Sequence, residues 1–198
     1  MIGYQVKKNG KIELKTSIKD PNEANLLRRS FLTCVPSIAI DYVIFDENDS
    51  ARKDDILAHR LGLMPIVYGQ VENGTRFSFF FSGDTDISGN HKRITCADME
   101  EIPFVYPNST LTYLRKGERL SFTVVLKVDT AISHAKYKPV STVGVKEDED
   151  GHVFTINPME THEPQELIEL AFEGMYTASL YVSKSPFFKL RVPDTYAE

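Results

Sequence analysis

Two helical patterns, one near each end of the chain, carry more apolar residues than a single buried face requires. In the first, Ala24, Leu27, Phe31 and Cys34 recur at helical spacing, while Leu26, Leu32 and Val35 widen the stripe. In the second, Leu167, Ala171, Met175, Ala178 and Val182 line up, and Ile168, Phe172 and Leu180 broaden them. A helix this apolar either lies deep in a core or meets a second protein; core packing is the commoner cause, and the residues alone leave both open. The first helix is well delimited. Asp20-Pro21-Asn22-Glu23 offers a capping carboxylate, a proline where no N–H is needed and a glutamate placed for a capping box, and Pro36 ends the run. The second runs from Pro164 to Val182.

The remainder reads as β-structure. Asn9-Gly10 predicts a type I′ hairpin between YQVKK and KIELKTSI, with Ile12, Leu14, Thr16 and Ile18 on the buried face. A β-rich run, SIAIDYVIF, leads into the polar segment DENDSARKDD. Asp54 or Asp55 is placed to cap a short helix over Ile56 to Leu61, Gly62 suits a left-handed end, and Pro65 prevents resumption. Phe77, Phe79 and Phe81 alternate in one strand pattern and Phe122, Val124, Leu126 and Val128 in another; two more strands flank an acidic turn from Glu147 to Gly151. The expected fold class is α+β. The end elements, residues 1–42 and 153–198, pack together as one discontinuous domain, and residues 43–152 form an inserted β-rich domain.

Composition narrows the function classes. A formal net charge of -5 gives no electrostatic footprint for wrapping nucleic acid, so contact with DNA is expected only through partners. No apolar run approaches the roughly 20 residues that span a bilayer, and the N-terminal stretch lacks a signal-peptide core, so an intracellular protein without a membrane role is expected. Cys34 and Cys96 are too few for a disulfide framework or a structural zinc site. The histidines His59, His91, His134, His152 and His162 never fall at a metal-binding spacing. Asp84, Asp86, Ser88 and Gly89 imitate half of an EF-hand loop, but the twelfth position is Thr95 where a bidentate glutamate is needed. His59, beside Arg60 and four residues after Asp55, suits an everyday helical ion pair better than acid–base catalysis. No P-loop, nucleophile elbow or metal-binding aspartate triplet is present, so no catalytic residue, cofactor or metal is expected.

Three segments together resemble one family. ANLLRRSFLTCVPSIAIDYVIFDENDSARKDDILAHRLGLMP is similar to the signature of the alpha-like subunits of multisubunit DNA-directed RNA polymerases; Asn25, Leu27, Arg28, Arg29, Val35, Pro36, Ala39, Ile40, Asn48, Ser50 and Ala58 to Leu63 match its pattern. HAKYKPV, His134 to Val140, resembles a segment of the archaeal D subunit and of the eukaryotic third-largest polymerase II subunit and its polymerase I/III counterpart. FTINPMETHEPQELIELAF resembles the family's strand and proline-initiated last helix. The AHRLGL and HAK segments favour the eukaryotic and archaeal branch over the bacterial one.

The resemblance implies a non-catalytic assembly subunit that pairs with a smaller alpha-like subunit, the heterodimer then receiving the second-largest and largest polymerase subunits. It implies that the apolar helices form a partner interface, through Ala24, Leu27, Phe31, Leu167, Ala171, Met175 and Ala178, where obligate pairs bury upwards of roughly 2,000 Å². It implies that Arg28, Arg29, His59 and Arg60 face the large subunit or the seam between domains, where guanidinium forks suit half-buried ion pairs; intrachain salt bridging is the other reading of the two arginines. The family's cysteine cluster after the AHRLGL segment is missing, which again predicts no metal. The tail after the last helix carries Phe187 and Phe188, which need cover. A short member without the cluster hints at a reduced lineage such as a large DNA virus, placing the protein in the nucleus if cellular and eukaryotic, or in host cytoplasm or a virion if viral. The rival of a different class is a stand-alone homodimeric binding or regulatory module of the same fold.

Overall fold

The computed structural model describes residues 3–83 and 91–184, with side chains through 180. The EF-hand-like stretch at Asp84 and the phenylalanines of the tail lie outside the described residues. The chain opens with β1 (Gly3–Val6) and β2 (Ile12–Thr16), paired antiparallel. Of the turn residues only Gly10 has a positive φ, 76°, and its N–H donates to Lys7 O at 2.9 Å. A type I′ turn needs positive φ at two positions, so the connection is instead a longer loop closed by glycine. As expected, β2 buries Ile12, Leu14 and Thr16.

Asp20 then caps α1 (Pro21–Thr33), its carboxylate accepting from the Asn22 N–H at 2.9 Å. The next strand, β3 (Pro36–Asn48), leads to α2 (Asp54–Gly62). Asp54 and Asp55 lie inside the first turn of α2 rather than at its cap, and Asp55 accepts from its neighbour Ile56 N–H at 2.8 Å. Gly62 remains helical; the terminating residue is Leu63, with φ -92°. There follow β4 (Arg76–Ser82), β5 (Lys92–Thr95), β6 (Thr110–Leu114) and β7 (Arg119–Thr130), then β8 (Val140–Asp148), β9 (Gly151–Pro158) and α3 (Pro164–Lys184). The sheets are antiparallel: β1-β2-β9-β8, β3-β7-β4 and the pair β5-β6.

Two apolar cores result. The first joins Ile12 and Leu14 of β2, Phe154 and Ile156 of β9 and Val140 of β8 to the inner faces of α1 and α3. The second gathers Phe122, Val124 and Leu126 of β7, Phe79 and Phe81 of β4, Leu57 and Leu61 of α2, and Ile38 and Ile40 of β3. β8 pairs within the sheet of β1, β2 and β9, and Ile38 and Ile40 near the start of β3 pack in the second core. Alternation supplies the cores from β2, β4 and β9, whereas β1 is exposed throughout and β3 and β7 bury runs of consecutive residues.

The two helices meet over small residues. Ser30 Oγ donates to Ala171 O at 2.5 Å, and a Cβ built on Gly174 would lie 2.6 Å from Cys34 Cβ and 2.8 Å from Ser30 Oγ. Glycine is a poor helix former, yet here its missing side chain permits the approach of α1 to α3. A Gly174→Val variant is expected to lose about 1–3 kcal/mol through overpacking, measured by urea unfolding. An unchanged midpoint would contradict a tight crossing.

Candidate assembly surfaces

The segments that resemble a family signature converge on β3. Between Ile40 and Tyr42 the register against β7 shifts, leaving Asp41 in a bulge. Lys136 reaches this bulge from the loop after β7: its ammonium donates to Ile40 O and Asp41 O, both at 3.0 Å, and to Asp41 Oδ1 at 3.3 Å. Tyr137, fully buried, donates its hydroxyl to Asp41 Oδ1 at 3.2 Å. Burial, together with the neighbouring Asp41 carboxylate, pushes the Tyr137 phenol well above its ordinary range. His134 Nδ1 accepts from Lys136 N–H at 3.1 Å and orients the loop. The HAKY segment is thus a clamp that satisfies edge-strand carbonyls and fixes the bulge. Lys136→Met is expected to lose about 1–3 kcal/mol, since it strips partners from half-buried acceptors, whereas Lys136→Arg retains a donor; equal stability of wild type and Lys136→Met in denaturant would remove the clamp.

The polar run before α2 is equally structural. Asn48 Nδ2 donates to Arg52 O at 2.9 Å and Asp54 Oδ1 at 2.6 Å, while its Oδ1 accepts from Ser50 N at 3.1 Å and Ser50 Oγ at 2.8 Å. Within α2, Leu57 and Leu61 are buried in the second core. Arg60 turns inward and donates through Nη2 to Thr110 O of β6, with Nε buried and unpartnered among the described residues. His59 is exposed and shares a small hollow with Asp41, His134 and Lys136. The structure therefore separates the pair: Arg60 ties α2 to β6, and His59 faces solvent. On α1, Arg28 is held by Asn25 Oδ1, at 3.1 Å from Nε and 2.7 Å from Nη2, and Arg29 is exposed.

The residues expected at a partner interface divide sharply. Ala24, Leu27, Phe31, Leu167 and Ala171 are buried inside this chain, against β2, β8 and β9, so their side chains offer no free surface. Depth accounts for them. Met175 and Ala178 lie further along α3 and are half-buried. Beside Ala178 is an apolar groove of about 630 Å³, lined by Cys34, Pro36, Thr130, Ile132, Leu170, Gly174 and Thr177 among others. Ile132 is 73% exposed at its rim, and Tyr176 is 64% exposed on the same helix. Sequence periodicity missed Ile132, an isolated residue in a turn, and gave no reason to set Tyr176 apart; an isoleucine amid polar turn residues is the signal that was available.

The titratable groups with resolved shifts are mostly structural. Burial pushes the Cys96 thiol up to about 11, and its Sγ lies 3.0 Å from Met64 Sδ in the second core, an environment that suppresses thiolate reactivity. The Lys127 ammonium and Ser133 hydroxyl hold the half-buried Asp129 carboxyl well below its usual range. No group of three or more histidine, cysteine, aspartate or glutamate side chains is disposed to hold a metal ion among the described residues. Nor is any described helix long and apolar enough to cross a membrane.

Fold and surface together define a mixed α/β scaffold of two cores joined by a clamped strand, with an open apolar groove on its last helix. No family model matches the chain. Among curated proteins it is 29% identical over 139 residues to DNA-directed RNA polymerase subunit Rpo3 of Methanopyrus kandleri, covering 62% of this chain and 50% of the relative. To the subunit of that name from Pyrococcus furiosus it is 35% identical over 127 residues, 59% of this chain and 47% of the relative. To that of Methanocaldococcus jannaschii it is 28% identical over 174 residues, 86% of this chain and 90% of the relative. The chain is thus similar to several curated proteins of that name. It spans about half the length of the first two relatives and nine-tenths of the third.

Proposed function

We propose that the protein is a non-catalytic assembly subunit of a multisubunit DNA-directed RNA polymerase. It pairs with a smaller alpha-like subunit, and the pair forms the platform on which the second-largest and largest subunits assemble. Homology to subunits named Rpo3 supports membership of the polymerase. The observation that carries the pairing is the groove between the end of α1, the end of β7 and the outer side of α3, apolar in lining and rimmed by Ile132. A contiguous apolar surface beside a helix whose inner face is already satisfied is the kind of patch that a protein partner covers. In this reading Ala178 and Met175 contribute to the interface, while the five deeper residues support it by holding α1 and α3 to the sheet.

The same reading gives Arg29 to the large subunit. It is exposed on α1 and does not line the groove, and its guanidinium suits a charge-assisted contact. Terminal elements bearing the groove form the dimerisation domain and the second core the inserted domain, with β8 assigned to the former.

Two variants test the division. Ala178→Glu combined with Ile132→Glu is expected to lower co-purification of the smaller subunit at least tenfold without shifting the unfolding midpoint, since neither side chain is in a core. Wild-type retention of the partner would exclude the groove as the interface. Arg29→Glu is expected to leave the heterodimer intact and weaken capture of the large subunit; unchanged capture would sink that assignment.

A further inference from the structure

A buried imidazole lies where the two cores meet. His162 is 9% exposed and sits just before α3. Its Nε2 lies 2.9 Å from Pro36 O, the first residue of β3, and its Nδ1 2.9 Å from Thr161 Oγ1. A carbonyl can only accept, so Nε2 carries the proton and Nδ1 receives the threonine hydroxyl: the neutral ring has both nitrogens satisfied. The Tyr68 ring, from the segment after α2, stacks on the imidazole at 4.6 Å and 22°. Tyr68 N–H also donates to Thr161 O at 2.7 Å. Three separate parts of the chain are thereby joined: the start of β3, the segment that follows α2 in the second core, and the entry to α3 in the first. The backbone before the ring is held in an uncommon conformation, Glu160 having φ 59°, the only positive value at a non-glycine among the described residues.

Nothing in this arrangement compensates a charge on the ring. Tyr68 is the titratable side chain that faces it from the second core; Pro36 presents a carbonyl and Thr161 a hydroxyl. Glu160 and Glu163, its neighbours in sequence, are exposed, and none of the ion pairs among the described residues includes His162. An enclosed imidazolium without a carboxylate is costly.

We propose that His162 is a protonation-controlled latch between the two cores: neutral, it holds the Tyr68 segment against the entry to α3, and protonation releases that segment. Burial holds the imidazole down to about 4, while the released ring has the ordinary value of 6.5. With the closed-state value depressed, closure is fully favoured above pH 6.5. As pH falls through this window toward 4, the open form binds a proton that the closed form refuses. Linkage between these two values weakens closure at pH 5 by about 30-fold relative to pH 7.5.

Hydrogen exchange of the full chain at pH 7.5 and pH 5.0, corrected for intrinsic exchange rates, tests the latch. Protection of the Tyr68 amide is expected to fall about 30-fold in the wild type and to stay constant in His162→Gln, which offers an amide donor to Pro36 but does not titrate. Amides of Leu14 and Phe154, in the four-stranded sheet, serve as references and are expected to change equally in both proteins. No fall in the wild type, or an equal fall in His162→Gln, would overturn the proposal. Should the variant fail to fold, the wild type still decides: the midpoint of Tyr68 deprotection must coincide with that of the His162 ring protons followed by NMR, and separate midpoints would refute the latch.

Discussion

The chain passes from one core to the other within three residues, and the rest of the architecture is arranged around that constraint. Val35 closes the first core, and Ile38, three positions on, opens the second, so no flexible spacer separates them. The handover is secured at two points. At the head of β3, Pro36 O is held by His162; further along, the carbonyls of Ile40 and Asp41 are held by Lys136. These partners come from more than ninety residues away in sequence, so the geometry of β3 reports on the folding of both halves at once. A strand with long bare edges invites pairing with another chain, and the lysine clamp removes that hazard where the bulge exposes carbonyls.

The surface follows from the same arrangement. The inner faces of α1 and α3 are consumed in covering the β1-β2-β9-β8 sheet, and their close approach through Ser30, Ala171 and Gly174 leaves no room for further packing between them. Among the described residues, Tyr176 and Ala178 on the far half of α3 belong to neither core, and Ile132, in the turn after β7, lines the groove beside Ala178. The proposed assembly role uses this division: a first apolar layer fixes the shape of the chain, and a second is the surface assigned to a partner, whose binding would add stability.

Much of this was legible in the sequence. The two end helices, the alternation in β4 and β7 and the burial pattern of β2 follow from side-chain period alone. The HAKY and AHRLGL segments carried the family resemblance but not their own work; that Lys136 grips a bulge depends on a register shift that no local pattern encodes. Which apolar helix residues lie deep was also hidden. Helical spacing sorts side chains by direction, but it does not tell that the β1-β2-β9-β8 sheet covers Phe31 on α1 while Ala178 on α3 lines an open groove. The hairpin and the end of α2 differed because Asn-Gly and a late glycine each permit several backbone solutions, and neighbouring contacts chose among them.

The most direct test of the assembly role is intact mass measurement, under native conditions, of the tagged protein recovered from its source at moderate salt. The account predicts a smaller alpha-like chain bound together with two very large polymerase subunits. Recovery of the protein by itself, as a monomer or a homodimer, would contradict it.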